Sequence, residues 1–225
     1  SFDENMLRVA SKKNFYICLC HSVRTPETMS KNPVYNNVLL DVYDKLERSN
    51  YFLECIYNTL ELDTESREIK HLLNDPLCDG GQWDMFVSVV QKYGLVPKSV
   101  YNESFNSSNS RRMNWILTYK LREYAWVIRE KEKKATKEVL KQQFLSEIYR
   151  ILCTFLGPPP SNFNWEYYDK SNEHHRIKNL TPLSFLEMVP VKLNDYYCVI
   201  HDPRNEYGQC YTVKYLGNVV EGRQI

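Results

Sequence analysis

The residues of this chain with the clearest potential for chemistry are its cysteines and histidines. The sequence holds seven Cys and five His. A cysteine nucleophile needs an imidazole base within hydrogen-bond reach, because the thiolate is the attacking species. Cys20 and His21 are adjacent, so on a helix their side chains would point about 100° apart and form a poor pair. His201, beside Asp202 at the end of a predicted strand, is placed as a base often is, and we expect it to be structural.

The spacing of the cysteines argues against a metal centre. No pair has C-x-x-C spacing, and Cys18, Cys20 and His21 are too close together to form a zinc site without a second pair. Walker loops, G-x-S-x-G and H-E-x-x-H are also absent, so we expect no metal and no cofactor. An odd number of scattered cysteines in apolar surroundings is typical of reduced thiols, which predicts a cytoplasmic protein.

A second candidate feature is the pair Gly80-Gly81, which lies in a turn directly before a predicted helix. Glycine has no Cβ, so the backbone of another molecule can approach it closely. The residues alone therefore indicate a turn that could meet a ligand, and they do not identify the ligand.

The elements that must position these residues are mainly helical. The chain has 225 residues, of which 43% are apolar and 25% charged, enough for one large or two small globular domains. Its net charge of +1 gives no field that favours nucleic acid or membrane. No apolar run approaches the roughly 18 residues of a membrane helix.

Hydrophobic periodicity and turn residues predict where the elements lie. Helices are predicted at about 34–58, in two segments, and from Trp83 to Tyr93. Two more helices are predicted on either side of a solvated charge run at 129–141, and another helix after Thr181-Pro182. Strands are predicted at 196–201 and 210–216, and polar loops at 102–110 and at His174-His175. Because helices come first and strands last, the pattern indicates an α+β protein.

Several long segments resemble the bleomycin hydrolase family, the papain-like cysteine aminopeptidases whose bacterial relatives are called aminopeptidase C. The most specific is CDGGQWDM at 78–85, and the similarity continues at 41–54, 111–123, 151–170 and 201–223. The resemblance covers nearly the whole chain after about residue 10. It implies an α+β, papain-like fold with a helical left domain at 1–109, an inserted helical hairpin at 110–160, and the start of an incomplete β-domain at 161–225.

The resemblance also implies a substrate-binding edge. In papain-like enzymes an equivalent Gly-Gly edge hydrogen-bonds the peptide substrate as an added strand. Gly80, Gly81 and Gln82 take that role here by resemblance. The alternative is that the two glycines only shape the turn.

The catalytic positions depart from the family pattern. Anchored on Ser11 and on 23–26, the resemblance places the nucleophile position on Asn14 and the oxyanion-hole position on Arg8. Asparagine has no ionisable nucleophile, and loss of one oxyanion donor costs about 10²–10³ in rate. Cys18 would lie on the same helix face about 5–6 Å further along, too far to replace the nucleophile. The family's catalytic His and Asn fall beyond the last residue, so we expect no activity from the chain as it stands.

Three functional interpretations stay open. The first is a cysteine aminopeptidase by descent that is catalytically silent. The second is a non-enzymatic peptide-binding or regulatory subunit that assembles with an active homologue. The third is a truncated product. Since the family forms ring-shaped hexamers, the resemblance implies a homo- or hetero-oligomer that binds peptides at the Gly-Gly edge; no nucleic-acid or membrane partner is expected.

Overall fold

The computed structural model describes residues 37–77, 83–130, 137–169 and 171–189, together with 193, 204, 206, 208, 215 and 217. These residues form α1 (Asn37–Asn58), α2 (Arg67–Asn74), α3 (Trp83–Tyr93), α4 (Phe105–Ser108), α5 (Arg111–Glu130), α6 (Lys137–Leu156), β1 (Phe163–Tyr168), β2 (His174–Leu180) and α7 (Pro182–Glu187). None of the described helices is both long and apolar enough to cross a membrane.

The chain divides into two compact units. Among the described residues, one unit contains 37–41, 83–103, 159–169 and 171–189, and the other contains 42–77, 104–130 and 137–158. The domain boundaries expected from the sequence stay a prediction.

Helix α1 is a single element of 22 residues rather than the two predicted segments. Its apolar side chains recur at helical spacing along its whole length, and Val38, Leu39, Leu53 and Ile56 are completely buried. One of the polar side chains buried between them is satisfied locally, since the Ser49 hydroxyl donates to the Lys45 carbonyl at 2.7 Å. The helix therefore continues without a break from Asn37 to Asn58.

The predicted helical hairpin is confirmed by α5 and α6. Lys120 pairs with Glu147 at 3.1 Å, and the Tyr124 ring stacks on Phe144 with centroids 4.1 Å apart. The later residue of α5 contacts the earlier residue of α6, so the two helices run antiparallel. Their shared core consists of side chains with no exposed surface: Leu117, Leu121, Ile148 and Leu152.

The prediction of a solvated charge run at 129–141 is wrong for two of its lysines. Lys137 and Lys141 belong to the first turns of α6 and reach the buried carboxylate of Glu54 on α1, at 2.8 and 2.5 Å. Burial opposes ionisation of Glu54, but the two ammonium groups outweigh it and lower the pKa of the carboxyl group. These lysines therefore attach α6 to α1. Residues 131–136, between α5 and α6, lie outside the described part of the chain.

Two arginines on α5 close the ends of earlier helices. Arg122 donates to the carbonyls of Leu73 and Asn74 at the end of α2, at 2.8 and 2.9 Å. Arg129 donates to Thr59 and Leu62, just after α1 ends, at 3.1 and 2.5 Å. The last carbonyls of a helix lack partners within the helix, so a guanidinium placed there satisfies them.

The antiparallel hairpin of β1 and β2 was not predicted. Its register pairs Trp165 with Ile177 and Tyr167 with His175. The expected loop at His174-His175 is therefore wrong, because both residues open strand β2. The signal that could have revealed the hairpin is the alternation of apolar and polar residues in FNWEYY at 163–168, which is the period of a half-buried strand.

The predicted loop at 102–110 is only partly correct. Within the polar segment 102–110, residues Phe105–Ser108 form the short helix α4, capped by Ser104. The Asn106 amide donates to the Phe155 carbonyl at 3.0 Å, so this segment covers the end of α6. The strands predicted at 196–201 and 210–216 fall almost entirely outside the described residues.

Candidate functional site

All of the site residues that the sequence singled out lie outside the described residues. Asn14 and Arg8 fall within 1–36, and Gly80, Gly81 and Gln82 fall within 78–82. The structure does, however, describe the elements that immediately follow the Gly-Gly segment. The first of these elements is the helix to which the predicted peptide-binding edge is joined in the sequence.

Helix α3 begins at the residue directly after Gln82. Its first residue, Trp83, is only 4% exposed and stacks on Phe86 with ring centroids 5.3 Å apart. The helix is buried on most sides: Met85, Phe86, Val87, Val89 and Val90 all lie in the core. Such a helix cannot rotate or slide without losing packing, so the position of Trp83, the residue that follows Gln82, is fixed.

The other end of α3 is fixed by Gly94, as the sequence predicted. Gly94 has φ +78°, and its amide donates to the Val90 carbonyl at 2.8 Å, which closes the helix. A Cβ at this position would lie 2.2 Å from the carbonyl carbon of Pro182. The next amide, of Leu95, donates to the Pro182 carbonyl at 3.0 Å. Only glycine allows this contact between α3 and the start of α7.

Helix α7 is itself held firmly. Thr181 caps it as predicted, and its hydroxyl accepts from the Ser184 amide at 3.1 Å while the Ser184 hydroxyl accepts from the Thr181 amide at 2.8 Å. Phe185 is buried and meets the rings of Phe163 and Trp165 edge-on, at 5.9 and 5.1 Å. A continuous set of contacts thus runs from the β-hairpin through α7 and Gly94 to α3, and α3 carries the Gly-Gly segment.

The described cysteines have properties of structural residues. Burial raises the pKa of the Cys55 thiol to about 11, so it stays protonated at neutral pH and is a poor nucleophile. Cys153 is partly exposed on α6 and is also a free thiol. Cys18, Cys20, Cys78, Cys198 and Cys210 lie outside the described residues.

The described histidines contact carboxylates or line a small pocket. His174 lies 3.5 Å from Glu166, and His175 lies 2.9 Å from Asp169. His71, on α2, lines a cavity of about 90 Å³ together with Arg48 and Tyr51. His201, expected to be structural, falls outside the described residues.

One group of side chains in the described part of the chain has donor atoms close enough together for a cation. The donors of Asp169, Glu173 and His175 lie within 4.8 Å of one another at the turn of the β-hairpin. The hydrogen bond with His175 and the amide of Glu173 both lower the pKa of Asp169. The carboxylate thus already has partners that shape the turn, and the group carries no catalytic assignment.

Comparison with known proteins assigns this mainly helical α+β fold to the papain-like peptidases. The chain belongs to the peptidase C1-like family, whose model matches residues 27–225. The predicted family is confirmed. Arg8 and Asn14 precede the matched span, whereas Gly80, Gly81 and Gln82 lie within it.

The relatives agree with this assignment. The chain is 46% identical over 185 residues to aminopeptidase C of Streptococcus thermophilus, covering 79% of this chain and 42% of the relative. It is 40% identical over 201 residues to bleomycin hydrolase of Mus musculus, covering 84% and 44%. The solved structure of PepW from Lactobacillus rhamnosis matches with a TM-score of 0.84 and 40% identity, over 88% of this chain and 46% of that one. The predicted α+β, papain-like fold is therefore confirmed, and the chain spans less than half of each of these relatives.

Proposed function

We propose that this chain binds peptides at a Gly80-Gly81 edge and does not itself cleave them. The observation that carries the binding part is the CDGGQWDM segment, which lies inside the family-matched span and runs directly into the anchored helix α3. A Gly-Gly edge presents backbone amides and carbonyls without side chains, which suits an extended peptide that adds as a strand. The anchoring of α3 supports this role, because a pre-organised edge binds at a lower entropic cost.

The proposal that the chain does not cleave peptides rests on two positions. By resemblance to the family motif, Asn14 takes the place of the nucleophilic cysteine and Arg8 that of the oxyanion-hole glutamine. An amide side chain cannot form the covalent intermediate of this chemistry. Of the described cysteines, Cys55 does not offer a substitute, since its thiol is buried on α1 and burial raises its pKa.

The activity test uses purified chain and an aminoacyl-fluorophore substrate, with a thiol-trapping epoxide as the control. We expect no epoxide-sensitive release of the fluorophore. Epoxide-sensitive turnover would contradict the silent assignment, and mapping the labelled cysteine would then identify the true nucleophile.

The binding test follows fluorescence anisotropy of a labelled short peptide with small apolar side chains and a free amino terminus. We expect the wild-type chain to bind and Gly81→Val to bind at least about tenfold more weakly, because the added side chain blocks the approach of the peptide backbone. Gly208→Ala is the matched control, since a Cβ at Gly208 meets nothing within 4 Å. Equal binding by all three proteins would contradict the Gly-Gly edge.

A second candidate function is that of a non-enzymatic subunit in an oligomer with an active homologue in the cytoplasm. The helical hairpin of α5 and α6 favours it, because charged contacts attach this hairpin firmly to α1. Co-expression of the tagged chain with an active aminopeptidase C tests this function. A shared complex with altered turnover supports it, and separate elution of the two chains refutes it.

A further inference from the structure

The turn between β1 and β2 brings three metal-ligating side chains together. A donor atom from each of Asp169, Glu173 and His175 lies within 4.8 Å of the other two. Asp169 directly follows β1, Glu173 directly precedes β2, and His175 is the second residue of β2. The set therefore joins the end of one strand to the start of the next. We call these three residues the turn triad.

The imidazole of His175 is held in place by aromatic rings. It stacks on Tyr167, its partner across the two strands, with ring centroids 5.1 Å apart and ring planes 20° apart. Tyr167 in turn stacks on Trp165 with centroids 4.4 Å apart, and Trp165 is only 3% exposed. The stack connects His175 to the core, and Nε2 of His175 lies 2.9 Å from Oδ2 of Asp169. The nitrogen donor is thus positioned before any ligand arrives, as a metal site requires.

The backbone of the turn fixes the carboxylate of Asp169 and directs one of its oxygens toward His175. Oδ1 accepts from the Glu173 amide at 2.9 Å, and the Asp169 amide donates to the Glu173 carbonyl at 3.0 Å. Tetrahedral zinc with bonds of about 2.0–2.2 Å holds its donor atoms roughly 3.3–3.6 Å apart. The separation of Oδ2 from Nε2 is therefore already close to the separation in a zinc site, and rotation of the exposed Glu173 side chain brings in the third donor.

The charge of the turn triad favours a divalent cation. At neutral pH its two carboxylates together carry a charge of about −2. On the opposite face of the same hairpin, Glu166 pairs with Arg176 at 3.1 Å as well as with His174 at 3.5 Å. Within the described part of the chain, no lysine or arginine pairs with either carboxylate of the turn triad. Two carboxylates this close repel one another, and a bound divalent cation relieves that repulsion.

We propose that the turn triad binds Zn²⁺ through Oδ2 of Asp169, a carboxylate oxygen of Glu173 and Nε2 of His175. The nitrogen donor favours zinc over Mg²⁺ and Ca²⁺, which prefer oxygen ligands. Coordination through Nε2 leaves the imidazole proton on Nδ1, so the metal replaces the hydrogen bond between His175 and Asp169. Water completes the coordination, and the ion joins the ends of β1 and β2. The cysteine spacing that argued against a metal centre does not bear on this set, which contains no cysteine, and the proposal does not depend on peptide binding.

The first test measures Zn²⁺ binding to the purified full chain by isothermal titration calorimetry, with far-UV circular dichroism to confirm folding. We expect His175→Gln and Glu173→Gln each to raise the Kd of one zinc site by at least about tenfold, since loss of a hydrogen-bond partner of a ligand alone costs that much. His174→Gln and Glu166→Gln are the matched controls, because they change the same residue types on the opposite face of the hairpin and should bind like the wild type. All of these proteins keep the seven cysteines, so zinc bound by thiols is the same in each. Equal binding by the wild type and every variant overturns the proposal.

The second test identifies the donor atoms with Co²⁺, which occupies zinc sites and has visible absorption bands. A site of nitrogen and oxygen donors gives d–d bands alone, whereas cysteine ligands add a thiolate charge-transfer band. We expect d–d bands in the wild type that are lost in Glu173→Gln, an exposed substitution that leaves the aromatic stack of His175 unchanged. Added Zn²⁺ should remove the same bands by displacing Co²⁺. A spectrum that shows only thiolate-bound Co²⁺, or one that Glu173→Gln leaves unchanged, excludes the turn triad as the metal site.

Discussion

Replacement of Gly94 by alanine should disrupt the contact that fixes helix α3 to helix α7. Gly94 has a positive φ of +78°, and a Cβ added there would lie 2.2 and 2.3 Å from the carbonyl carbon and oxygen of Pro182 and 2.5 Å from the Leu183 nitrogen. All three are backbone atoms at the start of α7, so no side-chain rotation relieves the clash. Either α7 must move away from α3 or Gly94 must change its conformation.

The size of the effect follows from two separate contributions. A non-glycine residue in the left-handed region costs roughly 1–2 kcal/mol. Forcing an extra methyl into a packed position costs typically another 1–3 kcal/mol. We therefore expect Gly94→Ala to lower the free energy of unfolding by about 2–5 kcal/mol, a large part of the total of about 5–15 kcal/mol of an ordinary domain.

Gly208 offers the control that separates these contributions. Its φ is +79°, nearly the same as that of Gly94, but a Cβ there meets no atom within 4 Å. Gly208→Ala should therefore cost only the conformational strain, about 1–2 kcal/mol. The difference between the two variants measures the clash with Pro182.

The assay is urea unfolding followed by tryptophan fluorescence, combined with hydrogen exchange of the Leu95 amide. That amide donates to the Pro182 carbonyl at 3.0 Å and should lose protection in Gly94→Ala but not in Gly208→Ala. Equal destabilisation by the two variants, with Leu95 still protected, would refute the close contact as the reason for glycine at this position.

Two further predictions concern the attachment of the helical hairpin. Glu54→Gln should lower the free energy of unfolding by about 1–3 kcal/mol at neutral pH, because Lys137 and Lys141 lose a charged acceptor. Since the pKa of Glu54 is lowered on folding, its contribution is present above the unfolded pKa near 4.5 and is lost as the pH falls through the folded pKa. The wild type and the variant should thus converge in stability under acid, which urea titrations at several pH values would show. Arg129→Lys should lower the free energy of unfolding by about 1–2 kcal/mol, because an ammonium group does not reproduce the two hydrogen bonds of the guanidinium to the carbonyls after α1. The control is Arg112→Lys at an exposed position, which should change the free energy of unfolding by less than about 0.5 kcal/mol. Similar values for the two variants would argue against the capping role of Arg129.

The parts of the fold that follow local rules were predictable from the sequence. Gly94 after Tyr93 predicted the end of α3, and Thr181-Pro182 predicted the start of α7, because both signals act within one turn of helix. The hairpin of α5 and α6 followed from helical periodicity alone. In each case the residues that determine where the helix lies are within the helix or directly beside it in the sequence.

The contacts that hold these elements together were not predictable in the same way. Glu54 meets Lys137 and Lys141 across more than eighty residues, and Arg129 reaches carbonyls near residue 60. Lysines and arginines of this kind also occur in solvated charge runs, so the sequence alone does not show which of them form ion pairs or hydrogen bonds in the folded chain. The β-hairpin was missed for a different reason, because His174 and His175 are polar and strand β2 buries only one of its side chains, that of Leu180.

The proposed binding role needs only features that lie within the family-matched span of the chain. The Gly-Gly segment, α3, Gly94 and α7 all lie within the span that matches the peptidase C1-like family. Asn14 and Arg8, which stand by resemblance at catalytic positions, precede that span. A scaffold that holds an edge for a peptide depends on packing and on backbone geometry, whereas catalysis depends on a few reactive groups placed within a fraction of an ångström. If the proposed edge binds peptides, displacement of α3 through Gly94→Ala should weaken peptide binding, although no residue of that edge is changed.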